Sequence, residues 1–220
     1  MSEPGSDTRE AAETASGGTR RPRGSDAQVD DRSTAARLIE TAAALFRRKG
    51  YAASTTRELA ELLGIQKASL YYHMSGKDDL LVTICHESLR RITDQVREVA
   101  ESGPAESRLA NVIERHVVTA LHDRDMHAVM LIELRALPVE RRTSVIERRD
   151  QYQHLLHELI ESEQKAGRIR ADIETKYLTL SLLNLLNWTI FWFDPEGDMA
   201  PQELGRTLAT IFVEGARSRP

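Results

Sequence analysis

One cysteine, Cys85, stands in 220 residues, which rules out an intrachain disulfide framework and fits a reducing compartment. Aromatics are scarce at 5%, and no segment shows the two-residue alternation of a strand ladder. No apolar run reaches the roughly 20 residues that span a bilayer. The first residues lack the apolar core of a signal peptide, so a cytoplasmic protein with no membrane partner is expected. Catalytic signatures are missing as well: there is no Gly-rich phosphate loop, no HExxH pair and no serine in a nucleophile elbow. Neither an enzyme nor a cofactor is expected. His116, His122 and His127, and the His154/His157 pair, would need a converging oxygen or thiolate partner to hold a metal, and Cys85 has no companion thiol, so no metal site is expected either.

What is present is concentrated between Thr55 and Leu81. Thr55 with Glu58 three residues on forms a capping box, and Leu59, Ala60, Leu62 and Leu63 give the following helix an apolar side. Gly64 supplies a turn. A second short helix then places Ile65 and Leu70 inward and leaves Gln66, Lys67, Ala68, Ser69, Tyr71, Tyr72 and His73 mostly outside, a donor-rich surface suited to a major groove. Ser75 with Asp78 repeats the capping pattern, so a third helix is expected to start there with Lys77 at its edge, facing a phosphate. Helix, turn, helix is the signature of duplex DNA binding.

Net charge is −4, unpromising for a DNA partner until the charge is located. Between Ser33 and Lys77 stand seven basic residues (Arg37, Arg47, Arg48, Lys49, Arg57, Lys67, Lys77) against three acidic ones (Glu40, Glu58, Glu61), an excess of +4, so the remainder carries −8. Attraction for phosphates is confined to one end of the chain. Residues 1–30, rich in Gly, Ser, Thr, Glu and Arg, read as a solvated tail whose RRPRG run has a second reading as a minor-groove arm.

The rest reads as helices. A first one runs from Ser33 to Lys49 before Gly50; after Leu81 come segments ending near Gly103-Pro104, from Leu109 to Leu121, from Met126 to Leu137, and from Pro138 to Ala166 before Gly167. The stretch from about Glu174 to Phe193 is apolar on nearly every face and must be covered on every face, partly by a second subunit. Pro201 opens a last helix with the stripe Leu204, Leu208, Ile211 and Phe212. The fold class is all-α, divided as a tail (1–30), a helix-turn-helix DNA-binding domain (31–78) and a helical effector-binding and dimerisation domain (79–217).

TTRELAELLGI, LYYH and the lysine followed by LL resemble the tetracycline-repressor-like (TetR) family of bacterial transcriptional regulators, with Met74 where the family usually has Phe. The resemblance implies a three-helix DNA-binding domain, a larger helical domain with an effector pocket, and a homodimer made by the last two helices. It also implies contacts to double-stranded operator DNA from Thr56, Arg57, Gln66, Lys67, Ala68, Ser69, Tyr71, Tyr72, His73 and Lys77. Among these Lys67 is the expected base reader, and Lys77 matches the lysine that holds a phosphate. ELRALPVERRTSVIERRDQY and NWTIFWFDPEGDM are similar to the acyl-CoA-responsive regulators of fatty-acid and steroid breakdown in that family.

The effector candidates are Met126, Met130, Arg149, Asn184, Trp188, Phe191 and Trp192, an apolar and aromatic lining with few polar groups. Arg148, Arg149, Arg168 and Arg170 are candidates for the phosphates of a CoA ester. Asn184 and Asn187, amid apolar residues, each require a partner if buried. Leu182, Leu186, Ile190, Leu208, Ile211 and Phe212 are expected at the dimer interface. The leading expectation is a homodimeric repressor released by a small apolar effector, an acyl-CoA thioester among the candidates. A DNA-binding architectural factor or activator that senses no ligand stands as the alternative.

Overall fold

A run of helices accounts for most of the described residues: α1 (Gly24–Lys49), α2 (Thr56–Leu63), α3 (Lys67–His73), α4 (Lys77–Ser102), α5 (Ala105–His122), α6 (Arg124–Ile132), α7 (Val139–Lys165), α8 (Thr175–Asn187), α9 (Thr189–Trp192) and α10 (Pro201–Ala216). The computed structural model describes residues 24–218, with side chains from Thr34 onward, and the chain from Ala35 on forms one compact unit. The expected all-α class is observed; the one extended pairing among the described residues is an isolated bridge between Ile169 and Arg217. Residues 1–23, including Arg20 to Arg23 of the expected arm, lie outside the described residues. Because α1 begins at Gly24, the expected tail is helical from that residue on.

Two apolar cores share one helix. The first half of α4 (Leu80, Leu81, Ile84, Cys85, Leu89) packs with Leu38, Phe46, Leu59 and Leu70 of the first three helices, and with Met126, Val129 and Met130 of α6. The second half (Ile92, Val96) packs with α5, α7, α8 and α10. A rigid element buried in both cores links events in one to the other.

Several expectations are corrected by local chemistry. Ser75 does not cap α4: the helix starts one residue later than the pattern suggested, Gly76 is its N-cap, and Asp78 accepts instead from the Tyr51 hydroxyl. Leu62 is 53% exposed, so the apolar side of α2 is Leu59, Ala60 and Leu63. The segment from Met126 to Leu137 leaves α-geometry after Ile132 and tightens into a 3-10 turn over Glu133–Ala136, ahead of Pro138.

The long apolar helix is broken at Trp188. Thr189 donates its hydroxyl to the Leu186 carbonyl at 2.7 Å, and Arg124 Nε donates to the Ile190 carbonyl at 2.8 Å. Side chains thus serve carbonyls near the break that a continuous helix would have used. The break also decides what is covered: Leu182, Leu186 and Ile190, with Leu208 from α10, lie in the chain's own core and are not available to a second subunit. Ile211 is exposed, and Phe212 is partly buried against that core.

Helices α5 and α10 approach through Gly205. A Cβ there would sit 2.9 Å from the Glu114 Cα and 3.1 Å from its carbonyl oxygen, backbone that cannot step aside. Gly205→Ala is expected to lower stability by about 1–3 kcal/mol, as overpacked sites do. Gly215→Ala on the same helix meets nothing within 4 Å and is expected to be neutral or mildly stabilising. Urea unfolding of the two variants checks the contrast; equal midpoints would remove the steric argument.

Candidate functional site

The α2-turn-α3 unit is built as its local residues dictate. Thr55 accepts from the Glu58 amide at 3.2 Å while its own amide donates to the Glu58 carboxylate at 3.0 Å, closing the capping box. Gly64, at φ 67°, adopts the left-handed conformation that turns the chain, and its amide reaches the carbonyls of Ala60 and Glu61. Leu70 is fully buried and Met74 nearly so, which pins α3 on the core and fixes its outward face. Gln66, Lys67, Ala68 and Ser69 are exposed on that face, with Tyr71 and, at 80%, Tyr72 beyond them. Lys67 lies over the Tyr71 ring at 5.8 Å, and Tyr72 meets His73 edge to face at 5.1 Å. Thr56 is half-buried, and Arg57 is exposed beside Glu61, which it pairs at 2.9 Å.

Lys77 is used differently from the expectation. Its ammonium donates to the carbonyls of Tyr51 at 2.8 Å, Ser54 at 3.0 Å and Ala52 at 3.5 Å, and lies 4.2 Å from the centre of the Tyr51 ring. An ammonium has three N–H groups, and three carbonyls take them, so none is left to point at a phosphate. The lysine fastens the α1–α2 loop to the first turn of α4. Tyr51 in turn donates to Asp78, and burial, reinforced by that hydrogen bond, pushes its phenol well above the usual range. Asp79 is paired with Arg141 of α7, and Arg47 at the end of α1 with Asp125 of α6. The count of local cations therefore overstates what is offered to DNA: Arg47, Lys49 and Arg57 are in ion pairs.

In the larger half, α4, α6, α7 and α8 converge on a cavity of about 60 Å³ lined by Leu89, Ile92, Met130, Leu131 and Leu183 and by the polar groups His127, Arg149, Asp150, Tyr152, Gln153 and Asn187. Buried hydrogen bonds tie its wall together. Tyr152 Oη meets His116 Nδ1 at 2.6 Å; His127 meets Ser88 Oγ through Nδ1 at 3.3 Å and Asn187 Oδ1 through Nε2 at 3.2 Å. The rings of His116 and His127 stand edge to face at 5.9 Å. Burial lowers His127 to about 4 and, with the neighbouring His127, carries His116 well below its usual value. Among the described residues no group of His, Cys, Asp and Glu is arranged to hold a metal ion.

Two of the seven expected effector residues, Met130 and Arg149, reach this cavity. Met126 is core beside α1, Asn184 is exposed, and Trp188, Phe191 and Trp192 lie on the outside because the break at Trp188 turns them there. Sequence reasoning passed over Tyr152 and weighed His116 and His127 only as metal ligands. The signal for them was polar residues at apolar-stripe positions of helices, the same argument that singled out Asn187. Arg168 and Arg170 are held in two-pronged pairs with Glu163 and Asp172 and leave the set of phosphate binders.

Two outcomes follow from this geometry. Lys77→Met strands carbonyls and is expected to lower stability by about 1–3 kcal/mol in the absence of DNA. Lys67→Ala is expected to leave the melting curve alone and weaken DNA binding; melting curves alongside DNA titrations check both, and an unshifted Lys77→Met melt would return that lysine to phosphate binding. Below pH 6.5 the unfolded imidazole of His127 binds a proton that the folded one refuses until about pH 4. Its contribution to stability is therefore complete above that window and lost as pH falls through it. Urea midpoints measured across the window are expected to fall more steeply for the unaltered protein than for His127→Asn.

Known proteins share this arrangement. The family model described as Bacterial regulatory proteins, tetR family, matches residues 38–84, and that described as Tetracyclin repressor-like, C-terminal domain, matches residues 102–216. The HTH-type transcriptional repressor KstR2 of Rhodococcus jostii (strain RHA1) is 28% identical over 187 residues, 82% of this chain and 90% of that protein. The TetR family regulator PfmR of Thermus thermophilus superposes with a TM-score of 0.75 at 28% identity, over 81% of this chain and 97% of that one. AibR in complex with isovaleryl coenzyme A and operator DNA shares the fold, with a TM-score of 0.73 at 23% identity over 81% of this chain and 97% of that one. Matched in its helix-turn-helix and again across its C-terminal half, the chain belongs to the tetracycline-repressor-like family and is a DNA-binding transcriptional regulator.

Proposed function

We propose that this regulator is a homodimeric, cytoplasmic repressor that occupies a palindromic operator and is released by a small apolar effector of the acyl-CoA class. The observation that carries the reading is the position of the cavity: α4, which helps line it, is also the helix whose first residue grips the DNA-reading module. At about 60 Å³ the cavity is well below the roughly 300–1,000 Å³ of ordinary ligand pockets. An acyl chain enters only by parting the helices, and a ligand that favours the parted form shifts the protein toward it. About 1–3 kcal/mol of coupling is typical for such release.

Two further observations favour the thioester class. Arg148 and Arg149 have no carboxylate partner among the described residues, and a groove of about 160 Å³ that shares Leu89 with the cavity wall is lined by Arg97 and Arg148, beside Arg90 and Asp94, which pair with each other, so Arg97 and Arg148 are the cations it offers to phosphates. AibR, similar in fold, was solved with isovaleryl coenzyme A and operator DNA, and the relative KstR2 is named a repressor.

For the dimer, the exposed apolar residues replace the buried ones: Tyr177 and Leu180 stand on α8, Trp188 just past its end beside Phe191 and Trp192, and Ile211 on α10. A patch of this kind is characteristic of a subunit contact. The DNA face is assigned to Thr56, Arg57, Gln66, Lys67, Ala68, Ser69, Tyr71, Tyr72 and His73, with Lys77 as a positioning residue. The division into residues 31–78 and 79–217 is one of role, since the first core spans both.

The test is an operator titration. With DNA from upstream of its own and adjacent genes, the dimer is expected to bind about 10³-fold more tightly than to random DNA, and acyl-CoA thioesters are expected to release it. Specific binding with no release by any chain length would remove the thioester reading and leave the repressor.

A further inference from the structure

The open side of α8 is apolar except near its middle. Between Tyr177 and Phe193 the chain carries no charged residue. Leu178, Leu182, Leu186 and Ile190 turn into the chain's own core, while Tyr177, Leu180, Ser181, Asn184 and Trp188 are exposed. Steps of three and four residues place those five on one stripe along the helix and its end. Tyr177 and Trp188 stand at the two ends of the stripe, and Ser181 and Asn184 are the polar groups between them.

An apolar stripe accepts another apolar stripe in more than one register, a turn up or a turn down. In packed helices, charges beside the seam commonly choose the partner, and a polar residue within the seam fixes the register. Here the charges are missing and the polar residue is present. In the isolated subunit water serves the exposed Asn184 amide. Once the stripe is covered, that amide requires a partner, and a register that sets it against apolar side chains is penalised.

A second copy of this chain meets the requirement. The stripe is uncharged, so copy meets copy without burying a charge, whereas a partner with charges at this face would leave them unpaired. Around a two-fold axis the middle of the stripe meets the middle of the same stripe. A carboxamide both donates and accepts, so it can pair with its own kind, as an ammonium cannot. We infer that Asn184 sets the register of the homodimer and confines association to two chains, by a hydrogen bond across the contact. The inference rests on the homodimer of the proposed function and adds the residue that selects its geometry. Register bears on DNA reading, since the separation of the two α3 helices has to match the spacing of the operator half-sites.

The experiment is sedimentation of the full-length protein over a range of concentrations, for the unaltered chain, Asn184→Asp and Asn184→Leu, both variants at an exposed position of the subunit. The unaltered chain is expected to be a dimer. Asn184→Asp sets carboxylates against each other and is expected to raise the dimer dissociation constant at least about tenfold. Asn184→Leu is expected to associate with no loss of affinity and no longer to stop at the dimer. An unchanged dissociation constant in Asn184→Asp overturns the inference and leaves the homodimer standing. An Asn184→Leu protein that associates more weakly, or stays as strictly dimeric as the unaltered chain, overturns it also. An unaltered chain that is not a dimer overturns the homodimer reading, and the inference with it.

Discussion

The arrangement hangs on an ammonium surrounded by carbonyls. Lys77 is the first residue of α4, and its three N–H groups close the loop between α1 and α2 from below, with the Tyr51 ring against its charge. Beside that hold, the loop that sets the entry to α2 is defined by the Ser54–Gly50 hydrogen bond, the Ser54 amide on the Tyr51 carbonyl, the Tyr51–Asp78 hydrogen bond and the packing of Tyr51 on Phe46. With it, the capping box at Thr55 starts where α4 places it. A lysine here does what a point charge does well: it serves several oxygens from one centre, without the planar fork that arginine would impose.

Behind the clamp, the regulatory half carries a polar seam where a purely apolar core would have been more stable. Ser88, His116, His127, Tyr152 and Asn187 come from five helices, and each finds a partner in another helix. Burying imidazoles in neutral form is costly, and half-satisfied polar networks are weaker than apolar packing. Such a seam specifies one arrangement of helices and leaves it open to replacement by another. That is the property a sensor needs, and it sits beside the cavity wall shared with the arginine-lined groove.

Much of the fold was legible because its punctuation is local. The capping box at Thr55 and Glu58, the left-handed Gly64, the plug at Met74 and the restart at Pro201 each depend on residues within a turn of one another. What was not legible depends on partners distant in the chain. Ser75 had the right spacing for a cap, but Lys77 and Asp78 were already engaged by Tyr51 and its loop. The apolar stretch after Glu174 gave no sign that Arg124, far upstream, would take the Ile190 carbonyl and stabilise a break. For the same reason the interface expected at Leu182, Leu186, Ile190 and Leu208 went to the core, since periodicity marks which residues share a face and leaves open which face turns inward. The outward face of α3 was legible because the helix is short and Leu70 is its buried residue.

The break at Trp188 has a photophysical side. The chain has two tryptophans, and both, Trp188 at 64% and Trp192 at 52% exposure, stand on the same patch after α8, with the Phe191 ring tilted against Trp188 at 4.7 Å. Indole emission from this protein therefore comes from a single surface, remote in sequence from the DNA-reading helices. Its wavelength and its quenching by solutes report whether that surface meets water or another chain, with no dye attached.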